Sequence, residues 1–162
     1  MFPRRIVEPM ALIERTRYEL TVQIAAATAI AALTDFGENR MRVWSESSHP
    51  KVYRLHALGP TWADVTEGVP FSWSRERYDW SDPGLVRLTQ IDSNVAVPVG
   101  TIEYRLTDTP DGCQLICERF REFKATPRGR LAHLIMSRFG ARLLRTQLQA
   151  GFARYEGSSA TL

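Results

Sequence analysis

The segment 126–156, TPRGRLAHLIMSRFGARLLRTQLQAGFARYE, decides the fold predicted for this chain of 162 residues. Thr126 is a favoured residue at the N-cap of a helix, and Pro127 suits the first helical turn. Because no further proline follows, the pattern predicts one long C-terminal helix. We expect this helix to end near Glu156, where Gly157 and two serines follow.

This helix carries two apolar stripes when its residues are placed about 100° apart around the axis. One stripe runs along the whole helix and is expected to close over a sheet: Leu134, Ala141, Leu144, Leu148, Phe152 and Tyr155. The other covers only the first half, beside several arginines: Leu131, Ile135, Phe139 and Leu143, with Ala132 and Met136 next to it. A helix with two apolar faces must be covered on both or must dock another molecule.

The residues before this helix read as a sheet with two short helices after its first strand. Residues 17–24 alternate strictly, with Tyr18, Leu20 and Val22 on one face, which indicates a half-buried strand. The alanine-rich stretch 25–35 predicts a helix, and 38–45 predicts a second short one. Six strand-like runs follow, separated by short turns that make consecutive strands antiparallel neighbours: 51–58, 62–67, 71–80, 85–93, 99–107 and 113–123.

The totals favour one globular α+β domain. Apolar residues make up 44% and charged residues 24% of the chain, a composition without a disorder signature. We expect an N-terminal extension at 1–14, the domain at 15–156 and a flexible tail at 157–162. The longest apolar run, 24–33, is too short to span a bilayer, and no signal-peptide core is found, so a cytoplasmic location is expected.

Charge is unevenly distributed. Residues 121–162 contain eight Lys or Arg and two Asp or Glu, whereas the rest of the chain is slightly acidic. A basic C-terminal segment suits nucleic acid, anionic lipid or an acidic partner. A solvated, arginine-rich helix face explains the same pattern more simply.

The order of elements resembles the helix-grip fold of the START-like (SRPBCC) superfamily, and within it the polyketide cyclase/dehydrase and lipid-transport group. The resemblance covers about 15–156. It is carried by the alternating strand at 18–24, the helix ending in Leu33-Thr34-Asp35-Phe36, Trp44 in the second helix, the strand GTIEYRL at 100–106 and the turn Asp111-Gly112. It implies a seven-stranded curved antiparallel sheet that encloses a ligand cavity with the long helix.

Catalytic signatures are weak. His49, His56 and His133 belong to no recognisable triad and are expected at the surface. Cys113 and Cys117 fall on one strand about 13 Å apart, too far for a disulfide, and are expected to be buried. Neither a metal-ligand spacing nor a phosphate-binding glycine loop is present in the sequence, so no cofactor is expected.

Candidate ligand-binding residues come from the strands and the long helix. In the strand at 71–80, alternation places either Glu76 with Tyr78 and Trp80 inside, or Phe71 with Trp73, Arg75 and Arg77. In the strand at 99–107, Ile102, Tyr104 and Leu106 are expected inside. The predicted ligand-binding set is Trp44, Trp73, Glu76, Tyr78, Tyr104, Leu134, Leu144 and Leu148.

Three functional hypotheses follow. The first is a noncatalytic carrier of a small hydrophobic molecule, such as a lipid, an isoprenoid or a polyketide-like compound, with the loop at 80–84 gating an apolar cavity. The second is a cyclase or aromatase in which Glu76 and Tyr104 assist proton transfer. The third is an interaction protein that contacts a ribosome or a membrane through the second apolar stripe, or forms a homodimer through the first half of the helix. No DNA partner is expected.

Overall fold

The computed structural model, which describes residues 10–159, has the α+β helix-grip architecture that the element order predicted. Seven antiparallel strands form one open sheet, and the long helix lies last in the chain. The elements are β1 (Leu12–Val22), α1 (Ala26–Thr34), α2 (Arg40–Val43), β2 (Arg54–Leu58), β3 (Trp62–Val69), β4 (Ser72–Asp79), β5 (Leu85–Ser93), β6 (Ala96–Thr109), β7 (Gly112–Phe123) and α3 (Pro127–Ser159).

The spatial order of the strands is β1-β7-β6-β5-β4-β3-β2. From β2 to β7, each strand pairs with the next one in the chain, as short connections require. The two short helices carry the chain from β1, at one edge, to β2 at the other. As a result, β1 pairs with β7 and brings the start of the domain beside its last strand.

The first strand is longer than predicted. It begins at Leu12 rather than Arg17, so residues 12–14, assigned above to an N-terminal extension, pair with the end of β7. The predicted alternation holds, with Tyr18, Leu20 and Val22 buried. The first nine residues lie outside the described part of the chain, and the remaining domain boundaries stay predictions.

Pro98 does not end a strand, although it reads as a turn signal. The strand β6 starts at Ala96, and its pairing with β7 shifts register between Val97 and Thr101. A bulge accommodates a proline that is unable to donate a ladder hydrogen bond, and it bends the strand. The sheet thus continues past this point instead of breaking.

The long helix begins as predicted. Thr126 caps it, because its hydroxyl accepts a hydrogen bond of 3.1 Å from the backbone N–H of Gly129. The helix ends at Ser159 rather than near Glu156, so 157–159, predicted as part of a flexible tail, are helical. Residues 160–162 lie outside the described part of the chain.

The face of α3 that contacts the sheet differs from the predicted stripe. Along the first half it follows Ala132, Met136 and Gly140, and only from Leu144 onward does it include the predicted Leu148, Phe152 and Tyr155. Leu134 and Ala141 are exposed, so the prediction that they face the sheet is wrong. Ala132 packs here against Phe123 of β7, and its small side chain lets the helix lie close to the strands.

The core lies between the concave face of the sheet and the three helices. Cys113 and Cys117 are fully buried in it as free thiols, as predicted. Trp44 anchors α2 against α3: its indole N–H donates to the carbonyl of Ala32, and its ring meets Phe152 edge-on. Within residues 10–159, no helix combines the length and the apolar character that crossing a membrane requires.

Candidate functional site

A cavity of about 210 Å³ lies between the concave face of the sheet, the turn after α2 and the second half of α3. Its size exceeds the roughly 150 Å³ apolar cavity that holds benzene in a small protein. It is smaller than the roughly 300–1,000 Å³ pockets that bind drug-sized ligands. The space therefore suits a compact ligand of one or two rings.

Seven of the eight predicted ligand-binding residues line this cavity: Trp44, Trp73, Glu76, Tyr78, Tyr104, Leu144 and Leu148. The exception is Leu134, which is 48% exposed on the first half of α3 and lies outside the cavity. Whether the seven residues bind a ligand stays a prediction, whereas their convergence is a property of the fold.

The structure shows which side chains of β4 face the interior, a question that the sequence left open. Glu76 and Tyr78 point into the interior and are buried. Arg75 lies on the opposite face, where it forms two hydrogen bonds of 2.8 Å to Asp64. Trp73 also borders the cavity, although strict alternation along the strand would place it on the face opposite to Glu76.

One wall of the cavity is apolar. It is formed by residues from five elements and the turn after α2: Leu33, Trp44, Val65, Leu88, Ile102, Leu144 and Leu148. In β6, Ile102, Tyr104 and Leu106 share the inward face as predicted, and Ile102 and Tyr104 reach the cavity. This wall offers a ring system contact area worth about 25 cal/mol per Å² buried.

The floor of the cavity is charged, which corrects the expectation of an apolar lining. Arg119 and Arg121 enter from β7, and each pairs with a carboxylate. Arg119 donates to Glu14, and Arg121 donates to Glu76. The hydroxyl of Thr16 also donates to Glu14, at 2.7 Å. Two arginines and two glutamates thus balance each other in the interior.

Both arginines retain donor groups without partners among residues 10–159. Arg119 uses only its Nε atom, and its side chain is 16% exposed. Arg121 uses Nη2, while Nη1 is buried without a hydrogen-bond partner. Gly100 makes room for Arg121, because a Cβ atom there would overlap the guanidinium group. Because Nη1 of Arg121 packs against Gly100, it is closed to the cavity, and the unused donors of Arg119 are the ones that suit an oxygen acceptor on a ligand.

The charges on the two arginines depend on their neighbours. Burial would lower the pKa of Arg119, but the carboxylates of Glu14 and Glu76 outweigh it and raise this pKa. Burial and the nearby Arg119 lower the pKa of Arg121, against the opposing effect of Glu76. A guanidinium remains protonated at neutral pH even after such shifts.

A second polar cluster surrounds Arg40, and here every donor is used. Arg40 donates to Glu67, to the backbone carbonyls of Leu33 and Asp35, and to the hydroxyl of Tyr78. This network joins α2 to β3 and β4 at the edge of the cavity. Because Arg40 has no unused donor, it holds the fold together and contributes less than Arg119 to recognition of a ligand.

The cavity tyrosines are hydrogen-bond donors at neutral pH. Burial raises the pKa of Tyr104 above its ordinary value, and it raises the pKa values of Tyr18 and Tyr78 as well. Tyr104 lies near Glu76 and both floor arginines, which also influence its titration. A neutral phenol beside two guanidinium groups extends the set of donors on the cavity floor.

The opening of the cavity lies between the β3–β4 turn and α3. Half-exposed residues form its rim: Ser47, Gly68, Ser72, Trp73 and Gln147. No residue from 80 to 84 lines the cavity, so the prediction that this loop gates the opening is wrong. The connection beside the opening is the shorter turn around Pro70 and Phe71.

Sequence reasoning missed the charged floor, although alternation carried a signal for it. Extending the buried phase of Cys113 and Cys117 along β7 places Arg119 and Arg121 on the same face. Extending the phase of Tyr18 backwards along β1 reaches Glu14. Of the three histidines expected at the surface, His56 is exposed, whereas His49 and His133 are half-buried, and none of the three lines the cavity.

Comparison with known proteins yields matches in structure only. No protein-family profile and no curated protein sequence matches the chain. The ZhuI aromatase/cyclase from Streptomyces sp. R1128 is similar, with a TM-score of 0.71 and 15% identity over 89% of this chain and 94% of that one. A protein from Thermus thermophilus has a TM-score of 0.72 and 12% identity, over 90% of this chain and 99% of that one.

A START superfamily protein from Mycobacterium smegmatis is similar as well, with a TM-score of 0.64 and 14% identity over 90% of this chain and 97% of that one. Nearly the whole of each chain is matched. At such low identities these similarities establish the fold, which is the START-like fold, and only the fold.

Proposed function

We propose that this START-like domain binds one compact amphipathic molecule, of one or two rings, in the cavity between its sheet and α3. The observation that carries the proposal is the cavity floor, where Arg119 keeps unused N–H donors and apolar side chains line the rest of the same space. The wall would hold the ring system, and the donors would hold a carbonyl, phenol or carboxylate oxygen. A compact polyketide-like compound fits this space better than a long-chain lipid or isoprenoid.

Binding is favoured over catalysis because each cavity carboxylate is engaged. Glu76 pairs with Arg121, and Glu67 pairs with Arg40. A general base needs a carboxylate or imidazole that is free to accept a proton from the ligand. Neither a histidine nor an unpaired carboxylate lines the cavity among residues 10–159.

Calorimetric titration with 2-naphthol tests the proposal, with 2-methylnaphthalene as the probe of equal shape that lacks the hydroxyl. We expect one site per chain and a preference for 2-naphthol of about tenfold or more, because the floor donors stay unpaired against the hydrocarbon. Arg119→Lys keeps the charge but removes the guanidinium fork, so it should abolish this preference. Arg75→Lys, on the opposite face of the sheet, is the matched control and should change nothing.

Two outcomes would reject the proposal. One is the absence of saturable binding for both probes, and the other is a preference that Arg119→Lys leaves intact. The lipid alternative predicts instead that a long-chain fatty acid binds more tightly than either aromatic probe. Mass spectrometry of the protein purified from cells, under conditions that keep complexes intact, would show the mass of a resident ligand.

A cyclase or aromatase is the second candidate, because Glu76 and Tyr104 both line the cavity and a structural neighbour is an aromatase/cyclase. Tyr104 would donate a proton or hydrogen bond to a carbonyl oxygen, and Glu76 would accept a proton after release from Arg121. A short poly-β-ketone thioester is the substrate to test. This candidate requires turnover that falls by about a hundredfold or more in both Glu76→Gln and Tyr104→Phe.

A further inference from the structure

An exposed line of large apolar side chains runs along the first half of α3. Leu131, Ile135, Phe139 and Leu143 are spaced four residues apart, so they form one ridge on the helix. Their exposed fractions are 47%, 38%, 60% and 42%. Such a continuous apolar surface on a folded chain marks a contact site rather than a random surface. We call these four residues the exposed ridge.

The exposed ridge is flanked by unpaired positive charge. Arg138 and Arg142 lie one residue before Phe139 and Leu143, on the adjacent line of the helix, and Arg145 follows. All three are exposed, and none forms an ion pair within residues 10–159. The only acidic residue in α3 is Glu156, near its end. Apolar and cationic side chains therefore occupy one helix face together.

This face continues to the opening of the cavity. The next position on the line of the exposed ridge, four residues after Leu143, is Gln147, which belongs to the rim. Near the start of α3, Phe71 in the β3–β4 turn is 39% exposed, and the guanidinium of Arg128 lies 5.6 Å from its ring. The exposed ridge thus reaches the rim at one end of this helix half, and a further exposed ring beside an arginine lies near the other end.

We propose that the exposed ridge docks on an anionic lipid surface, with the cavity opening toward the bilayer. Apolar side chains would enter the boundary between headgroups and acyl chains, while arginines reach outward to lipid phosphates. A second copy fits less well, because a two-fold contact through the ridge would bring Arg138 and Arg142 close to their own counterparts. An acidic protein would supply the charge, but it would also need a groove for four bulky side chains.

The test is co-sedimentation of the full chain with two kinds of vesicle, one of phosphatidylcholine and one with about one-third phosphatidylglycerol. We expect at least tenfold tighter binding to the anionic vesicles and loss of most of it in high salt, because salt screens exposed charges. Each arginine near the surface is worth about fivefold in affinity, so Arg138→Glu with Arg142→Glu should weaken binding about twentyfold or more.

Phe139→Asp removes the apolar contribution and should weaken binding about tenfold. Matched controls on the far edge strand β2 are Leu58→Asp and Arg54→Glu, which also replace exposed side chains and should bind like the unmodified chain. Failure to bind anionic vesicles at low salt would overturn the proposal. So would equal losses in the ridge and control variants, or a dimer that Phe139→Asp dissociates without any vesicle binding.

The proposal goes beyond ligand binding, and the two fail independently. Vesicle binding is measured without any aromatic probe, and the titration with 2-naphthol needs no vesicles. A chain that binds vesicles but not 2-naphthol refutes only the ligand proposal, and the reverse result refutes only the docking surface.

Discussion

The two halves of α3 carry similar amounts of apolar side chain in opposite environments. In the second half, Leu148 and Phe152 are buried against Trp44 and the short helices. In the first half, the exposed ridge faces outward, while Ala132 and Gly140 are buried. The periodicity of a helix therefore shows that it has apolar faces, but the neighbouring elements decide which face is covered.

The two halves of α3 therefore have separate roles. The second half closes the core and supplies Leu144, Gln147 and Leu148 to the cavity. The first half adds no large side chain to the cavity and instead exposes apolar and basic groups. Variants in the second half should therefore change the free energy of unfolding, whereas variants in the first half should change binding to partners.

The largest expected effect comes from removing one phenyl ring in each half. Phe152→Ala should lower the free energy of unfolding by about 3–5 kcal/mol, because the ring is buried and leaves a cavity. Phe139→Ala should change it by no more than about 0.5 kcal/mol, because that ring is already in solvent. Urea denaturation at several protein concentrations measures both. A large cost for Phe139→Ala that grows with concentration would show that a second copy buries the ridge.

Replacing two glycines of α3 by alanine should change the stability of the fold by smaller amounts, and in opposite directions at the two positions. A Cβ atom at Gly151 would overlap the buried ring of Trp44, so Gly151→Ala should destabilise the fold by about 1–3 kcal/mol. At Gly140 the nearest side-chain atom is the flexible Cε of Met136, at 3.2 Å. There the higher helix propensity of alanine should stabilise the protein, by up to about 1 kcal/mol. Thermal denaturation of both variants measures the signs.

If the two alanine variants changed stability in the same direction, the two halves of α3 would not differ as described. If Gly140→Ala were as damaging as Gly151→Ala, the first half of α3 would be packed as tightly as the second. If both were stabilising, Trp44 would move aside easily and would not be the anchor of α2. Adding the substitution Trp44→Phe to each of the two alanine variants separates these outcomes.

The sheet was predictable because its strands show alternating apolar and polar residues and are separated by turn residues. Residues 85–93 were predicted with the bounds that the structure shows, and the inward phase of Tyr104 was predicted from its neighbours. The bounds failed where a bulge carried a strand through Pro98, where β1 continued back to Leu12, and where the strand predicted from residue 51 begins only at Arg54. The first two errors come from pairing with β7, which the local sequence does not reveal.

The candidate site was predictable in its apolar and aromatic residues and in Glu76, but its two arginines were missed. Leucine, tryptophan and tyrosine are expected inside, and six such residues of the predicted set line the cavity with Glu76, while their role in binding a ligand stays a prediction. Arg119 and Arg121 were assigned no interior role, because charged residues are buried only with partners. Those partners are distant in sequence: Glu14 and Glu76 reach them only after the sheet has formed.

The smallest expected effect concerns an ion pair that ties the second half of α3 to the turn after α2. Arg154 donates to Glu46 and to the carbonyl of Val43. The hydrogen bond from Arg154 lowers the pKa of Glu46 to about 2, from an ordinary value of 4.5. The pair therefore stabilises the fold fully above about pH 4.5, and this contribution is lost as the pH falls toward 2.

Because the Glu46 side chain is 42% exposed, the effect should be small. Glu46→Gln should lower the melting temperature by about 1–3 °C at neutral pH, and the difference from the unmodified chain should vanish as the pH approaches 2. Glu38→Gln, an exposed carboxylate with no ion pair among residues 10–159, is the control. A difference that persists unchanged in acid would mean that Glu46 acts through packing rather than through its ion pair with Arg154.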